Sequence, residues 1–140
     1  MSLSRPRPLG RLTWLLAPLA IALVLAGCAG AGATEDVGEL SAAGTVELLE
    51  DEQDAVLLDV RTPEEVAQGA LVGATFIDLQ APDFRERVDQ LDRDATYVIY
   101  CRSGNRSGQA AEIMHELGFT DLYNAGAYVD LAAVGLPTQP

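Results

Sequence analysis

Residues 97–108 read Tyr-Val-Ile-Tyr-Cys-Arg-Ser-Gly-Asn-Arg-Ser-Gly, a strand-like run followed by a polar, glycine-containing loop. The β-branched and aromatic side chains from Tyr97 to Tyr100 predict a buried strand, with Cys101 at its end. Residues 109–117 predict a helix, because their apolar side chains recur along one helix face: Ala110, Ile113, Met114 and Leu117. The pattern therefore places a cysteine between the end of a strand and the start of a helix.

The loop after Cys101 has the composition of an anion-binding turn. Four residues separate Cys101 from Arg106, and among them are Arg102 and the flexible Gly104. Backbone N–H groups in such a loop form an anion cradle, and the helix start adds positive potential, so a thiolate is favoured over a thiol. The alternative is a buried structural cysteine. That role requires neither the loop nor its two arginines, so we favour a reactive thiol.

Residues 101–107, Cys-Arg-Ser-Gly-Asn-Arg-Ser, closely resemble the active-site loop of rhodanese-type sulfurtransferases. Two more segments agree: residues 57–65 resemble the first signature of that family, and residues 118–124 resemble the segment after its catalytic helix. The resemblance covers roughly residues 37–137. It implies a catalytic Cys101 and an anion cradle formed by Arg102, Ser103, Gly104, Asn105, Arg106 and Ser107.

The resemblance also implies a reaction. An ionised Cys101 attacks the outer sulfur of a donor such as thiosulfate and forms a persulfide, which a thiol or cyanide acceptor then removes. We expect Arg106 to favour the thiolate and to steady the anionic persulfide. No cofactor is implied, and no metal is expected, because two Cys and one His cannot form a zinc site of the usual kind.

Two supporting residues follow from the same resemblance. Asp59 is expected to accept hydrogen bonds from the active-site loop, with Arg61 held against neighbouring acids; the alternative is an ordinary ion pair at a strand end. His115 invites a Cys–His dyad, but it falls in the middle of the predicted helix and off its apolar face. We therefore expect His115 to be an exposed helix residue.

Two other functions remain open. A phosphatase or an arsenate reductase also uses a cysteine in a phosphate-sized loop, but those families resemble Cys-x5-Arg, whereas this chain has Cys-x4-Arg. A smaller cradle suits sulfur better than a tetrahedral oxyanion. A non-enzymatic sulfur-carrier or binding module is the second alternative, and its sequence would look the same as that of an efficient enzyme.

The chain departs from the family pattern at two places. Ala70 and Val72 stand where the family often has a histidine and a proline, which predicts altered packing rather than lost activity. Residues 124–128 replace a richer glycine turn, and Leu131 stands where a tryptophan is common. Because those positions tend to form the wall of the substrate pocket, the identity of the donor stays open.

Alternating strand and helix patterns predict an α/β fold, with a mainly parallel sheet of about five strands and helices on both faces. Thr62, Pro63 and Glu65 predict a helix start with a capping box. Because ligands bind at the carboxyl ends of parallel strands, Asp59 and Cys101 are expected to face one crevice. The predicted elements are an edge strand opening at residue 37, strands at 55–60, 76–77, 97–100 and 122–123, and helices at 41–49, 83–91 and 109–117.

The N-terminal residues predict a separate segment. Three arginines precede an apolar run, residues 12–26, which is short for a membrane span and ends Leu-Ala-Gly-Cys at Cys28. This ending resembles a bacterial lipobox. We expect residues 1–27 to be a lipoprotein signal peptide, residues 28–36 a lipidated Cys28 with a flexible tether, and residues 37–140 the rhodanese-like domain. An ordinary signal peptide or a transmembrane anchor is the alternative.

Removal of this leader would leave six arginines, no lysine and twenty-one acids, a net charge of −15. Such a surface repels nucleic acid and anionic lipid headgroups, so membrane attachment would come from the acyl chains alone. The expected location is the extracytoplasmic face of a bacterial cell membrane. Because a free thiol there meets oxidising conditions, a redox protein is one candidate partner.

Overall fold

The computed structural model describes residues 37–140, which form twelve short elements. In chain order they are β1 (Gly38–Glu39), α1 (Ala42–Asp51), β2 (Val56–Asp59), α2 (Pro63–Val66), β3 (Ala70–Leu71), β4 (Thr75–Phe76), α3 (Phe84–Val88), β5 (Tyr97–Cys101), α4 (Asn105–Glu116), β6 (Leu122–Ala127), α5 (Tyr128–Ala133) and β7 (Thr138–Gln139). Five strands form a parallel sheet in the order β1-β6-β5-β2-β4. The predicted α/β fold is confirmed.

The central strand β5 supplies apolar side chains to both faces of the sheet. Tyr97, Ile99 and Cys101 point to one face and pack with residues of α3 and α4, including Phe84 and Met114. Val98 and Tyr100 point to the other face and pack with α1 and α5. All five β5 residues are buried. Burial on both faces explains why this strand is a continuous apolar run in the sequence.

The start of α2 follows the predicted capping box. The Thr62 hydroxyl accepts a hydrogen bond from the backbone N–H of Glu65, and the Glu65 carboxylate accepts one from the backbone N–H of Thr62, at 3.4 and 3.0 Å. Pro63 occupies the first turn. The box places the carboxylate of Glu65 beside the loop that follows β5.

Several predicted boundaries were wrong. Helix α4 begins at Asn105, four residues before the predicted start, because the chain turns into the helix directly after Gly104. Helix α3 ends at Val88, earlier than predicted, and β6 extends to Ala127. The helix predicted at 41–49 is a regular ten-residue helix, which Ser41 caps through a hydrogen bond from the backbone N–H of Gly44. Helix α5 and the antiparallel pair β3–β7 were not predicted.

The β3–β7 pair accounts for one departure from the family pattern. Val72 donates its backbone N–H to the carbonyl of Pro137 at 2.8 Å. A proline at this position would have no N–H to donate. The backbone N–H of Val72 therefore links the C-terminal segment to the loop after β3, while the Val72 side chain itself is exposed.

Candidate active site

Cys101 lies at the carboxyl end of β5, and its side chain is buried on the face covered by α4. The pairing of β5 with β6 is irregular at this point, with a register shift between Ile99 and Cys101. The shift brings the glycine-containing end of β6 next to the loop after Cys101. The strand end therefore delivers the thiol into a confined space between two backbone segments.

A turn of three residues, 102–104, joins Cys101 to α4. Gly104 has φ = 89°, a left-handed conformation that favours glycine. A Cβ at this position would also lie 3.2 Å from the Cα of Gly126, so the space excludes a side chain as well. The turn places Arg106 and Ser107 on the first turn of the helix rather than in the predicted loop.

The sulfur of Cys101 is surrounded by neutral hydrogen-bond donors. The backbone N–H of Gly104 donates to Sγ at 3.1 Å, and the Ser107 hydroxyl lies 3.5 Å from the same atom. Burial raises the pKa of the Cys101 thiol, but hydrogen bonds from the Ser107 hydroxyl and from the N–H groups of Ser103, Ser107 and Gly104 outweigh it. The net pKa of the thiol is therefore lowered, as a nucleophilic sulfur requires.

Asn124, which we expected only as part of the wall of the substrate pocket, lies directly behind Ser107. Its Oδ1 accepts from the Ser107 hydroxyl at 2.6 Å and from the backbone N–H of Gly126 at 3.2 Å. Its Nδ2 donates to the carbonyl of Gly104 at 3.2 Å and to the carboxylate of Glu39. In the sequence, the only indication of this role is a polar residue within the apolar pattern of β6.

Arg106 does not reach the sulfur by a hydrogen bond. Its two terminal nitrogens donate to the two carboxylate oxygens of Glu65 at 2.7 and 2.8 Å. This bidentate pair joins the first turn of α4 to α2, and only about a fifth of either side chain is exposed. The guanidinium interacts with Cys101 through its charge, while its hydrogen bonds to Glu65 hold the helix start in place.

Asp59 and Arg61 form a buried ion pair of their own. The Asp59 carboxylate accepts from the backbone N–H of Arg61 and from its guanidinium, at distances of 2.6 to 3.0 Å. The prediction that Asp59 accepts hydrogen bonds from the active-site loop was wrong, because Arg61 occupies its oxygens. Arg61 also donates to the carbonyl of Gly69 at 2.8 Å and lies over the ring of Tyr128, 4.2 Å from its centroid.

Arg102 is the exposed cation of the site. It lines a cleft of about 400 Å³ together with Arg61, Glu65, Gln68, Tyr128 and Val129. Within residues 37–140, its guanidinium has neither an ion pair nor a hydrogen bond, whereas the other arginines of that range each have one. Among the described residues, the cleft thus holds a positive charge without an acidic partner, one residue from Cys101.

The residues that departed from the family pattern near the C-terminus occupy different environments. Tyr128 does line the cleft, whereas Leu131 is fully buried in the core on the α1–α5 side of the sheet. His115 is exposed on α4 and borders a different cleft, beside Glu39 and Glu112, so it is no partner for Cys101. Over residues 37–140 no group of His, Cys, Asp and Glu is arranged to hold a metal ion.

A scan against protein-family models matches residues 41–130 to the rhodanese-like domain. The chain belongs to the rhodanese-like family. It is 40% identical over 75 residues to the thiosulfate sulfurtransferase PspE of Escherichia coli, a match that covers 54% of this chain and 72% of that protein. It is 34% identical over 102 residues to a sulfurtransferase of Allochromatium vinosum, covering 72% and 94% of the two chains.

Solved structures agree with this rhodanese-like assignment. A rhodanese-related protein of Thermoplasma volcanium superposes with a TM-score of 0.62 and is 29% identical, covering 73% of this chain and 97% of that one.

The N-terminal predictions, including the Cys28 lipidation site and the 1–27 and 28–36 segments, lie outside the described residues. In the part of the chain that the structure covers, no helix is both long and apolar enough to cross a membrane.

The Glu65–Arg106 pair predicts a pH-dependent stability. The hydrogen bond from Arg106 lowers the pKa of Glu65 from its usual 4.5 to about 2. A carboxyl whose pKa is depressed by folding stabilises the folded state above its unfolded pKa, and this contribution is lost as the pH falls. Wild type should therefore lose free energy of unfolding between about pH 4.5 and about pH 2 more steeply than Glu65→Gln, as measured by urea denaturation.

The matched control for this measurement is Glu64→Gln, which removes an exposed carboxylate from the same short helix. Gln at position 65 keeps an acceptor for the Thr62 cap but loses the ion pair. Parallel pH profiles for wild type and Glu65→Gln would contradict a stabilising role for the pair.

Proposed function

We propose that this protein is a sulfurtransferase that carries sulfane sulfur as a persulfide on Cys101. One observation carries the proposal: the sulfur lies in a cradle of N–H and hydroxyl donors, and its thiol pKa is lowered. Such a cradle stabilises an anionic sulfur in both states of the cycle, the thiolate and the terminal persulfide. The names of the relatives support the same class of reaction.

With thiosulfate as donor, the proposed first step is an attack of the Cys101 thiolate on the outer sulfur. A new sulfur–sulfur bond forms, the bond within thiosulfate breaks, and its electron pair leaves on sulfite. In the second step a thiol or cyanide attacks the terminal persulfide sulfur, and the electron pair of that bond returns to Sγ as a thiolate. Neither step needs a separate base, which is consistent with the exposed position of His115.

The geometry argues against phosphoryl or arsenate chemistry. In such a reaction, a guanidinium presents two N–H groups to a tetrahedral oxyanion. Here both terminal nitrogens of Arg106 are bound to the Glu65 carboxylate. The three-residue turn also brings the loop backbone against Gly126, which leaves the cradle small. A compact cradle of this kind favours one sulfur atom as the bound group.

Persulfide formation is directly measurable. Incubation of the full chain with thiosulfate should add the mass of one sulfur to the tryptic peptide 94–102, which contains Cys101. Cys101→Ser should abolish the addition, whereas the control Cys28→Ser should retain it. Equal transfer by Cys101→Ser would overturn the mechanism. Repeated turnover with cyanide or a thiol would assign an enzyme, and a single stoichiometric transfer would assign a carrier.

Arg102 is proposed to attract the anionic donor into the cleft. Because its guanidinium is exposed and free within the described residues, Arg102→Gln should raise the KM for thiosulfate about three- to tenfold. The value of kcat should change little, since the residue acts before bond cleavage. The increase should shrink at high ionic strength. Arg85→Gln, which removes an exposed arginine from α3, serves as the control, and an equal KM effect there would refute the proposal.

We also propose that residues 1–27 are a lipoprotein signal peptide and that lipidated Cys28 anchors the domain on the extracytoplasmic face of a bacterial membrane. The support is the basic start, the short apolar run and the Leu-Ala-Gly-Cys ending. A domain at that location would meet oxidising surroundings, which makes a thiol of a redox protein a candidate acceptor.

The chain offers a clean test of this anchor because it has no lysine. After cleavage the only primary amine would be that of Cys28, so a diacylated protein should take up one amine-reactive dye and a triacylated protein none. Cleavage should also remove Trp14, the only tryptophan, and leave tyrosine emission alone. Cys28→Ala should block lipid addition. Tryptophan emission from the membrane form, with recovery of a peptide spanning Arg11 to Cys28, would refute processing.

A further inference from the structure

The Ser107 hydroxyl has one proton and three acceptors within reach. Asn124 Oδ1 lies at 2.6 Å, the carbonyl of Gly104 at 3.0 Å and Cys101 Sγ at 3.5 Å. A serine hydroxyl donates a single hydrogen bond, so these acceptors compete for it. The shortest contact is to Asn124, so the amide is a better placed acceptor of this proton than a neutral sulfur is.

The orientation of the Asn124 amide follows from its surroundings. Its Nδ2 faces groups that only accept, namely both oxygens of the Glu39 carboxylate at 3.0 and 3.2 Å and the carbonyl of Gly104. Its Oδ1 faces the backbone N–H of Gly126. A flipped amide would place an oxygen against a carboxylate and an N–H against an N–H. Strand register supports the contact, because Glu39 on β1 pairs directly with Asn124 on β6.

We propose that Asn124 and Glu39 control which acceptor receives the Ser107 hydroxyl proton. Asn124 is thus a positioning residue that acts on the sulfur through Ser107, and Glu39 sets how strongly Asn124 attracts that proton. The charged Glu39 carboxylate polarises the Asn124 amide and makes Oδ1 a stronger acceptor. Asn124 then holds the hydroxyl proton away from a neutral thiol. This inference deepens the proposed function and rests on it, since it concerns the same reacting sulfur.

The competition is reversed when the sulfur becomes anionic. A thiolate accepts a hydrogen bond more strongly than a neutral amide does, so the hydroxyl turns to Sγ. Asn124 Oδ1 then keeps the N–H of Gly126 as a donor and is not left unpaired. The same reorientation of the Ser107 hydroxyl would stabilise Sγ when an acceptor removes the outer sulfur and the electron pair returns to Cys101. Acting through Asn124, Glu39 therefore disfavours the anionic form of Sγ, both in the initial thiolate and in the thiolate that sulfur transfer regenerates.

The effect of Glu39 on the sulfur has to be distinguished from the effects of other charges near Cys101, Ser107 and Asn124. Arg106 interacts with Cys101 through its charge and is paired with Glu65, and neither residue is altered in the test below. Glu112 is the useful comparison: it is exposed on α4, borders the same cleft as Glu39, and makes no hydrogen bond to Asn124. Replacing it removes an equal charge from the same surface.

The test is the pH dependence of Cys101 alkylation in the full chain, followed on the tryptic peptide 94–102 so that Cys28 does not interfere. Glu39→Gln keeps an acceptor for Asn124 but loses the charge. It should lower the Cys101 thiol pKa by about half a unit, which corresponds to roughly threefold more thiolate below that pKa. Glu112→Gln should leave the thiol pKa unchanged.

Ser107→Ala completes a double-mutant cycle. Alone it should raise the Cys101 thiol pKa. In its background Glu39→Gln should have no effect, because the hydroxyl that transmits the change is gone. No change on Glu39→Gln alone, an equal shift from Glu112→Gln, or a shift that persists in the Ser107→Ala background would each overturn the proposal. The titration needs no sulfur donor, so its failure is distinguishable from a failure of persulfide formation.

Discussion

The close approach of two glycines determines the geometry around the sulfur. Gly104 and Gly126 both have positive φ, and a side chain at Gly104 would come within 3.2 Å of the Gly126 backbone. Because the turn is this tight, its N–H points at Sγ and α4 starts immediately after it. Ser107 then falls on the first turn, facing both the sulfur and Asn124. Loss of this approach would remove the cradle and the Ser107–Asn124 contact together.

Charge and hydrogen bonding are divided between different residues at this site. Two of the arginines near the site are paired with acids, Arg106 with Glu65 and Arg61 with Asp59, and the donors at Sγ are neutral dipoles. A cation in direct contact would lower the thiol pKa further, but the intrinsic nucleophilicity of a thiolate falls as its pKa falls. Neutral donors thus lower the pKa of the Cys101 thiol without a cation in contact with the sulfur, while the ion pairs hold the backbone that carries those donors.

Local patterns predicted the local parts of this molecule well. The buried strands β2 and β5, the Thr62–Glu65 capping box and the position of Cys101 all depend on residues close together in the chain. The errors arise where distant segments meet. β3 needs the C-terminal β7, and Asn124 becomes important only through Ser107 and Glu39. Spacing within one segment carries no information about such partners.

Under the proposed function this acidic domain faces an electrostatic conflict, because acids far outnumber arginines in the chain and would repel a dianionic donor such as thiosulfate. Arg102 addresses this at the cleft, where its charge, unpaired within residues 37–140, faces solvent. The N–H cradle addresses it at the sulfur, where exclusion of water strengthens each dipole. The Arg102 charge and the N–H cradle respond differently to salt, since salt screens an exposed charge but not buried hydrogen bonds. Capture of the donor is therefore the salt-sensitive step of the proposed cycle, and stabilisation of the sulfur anion is not.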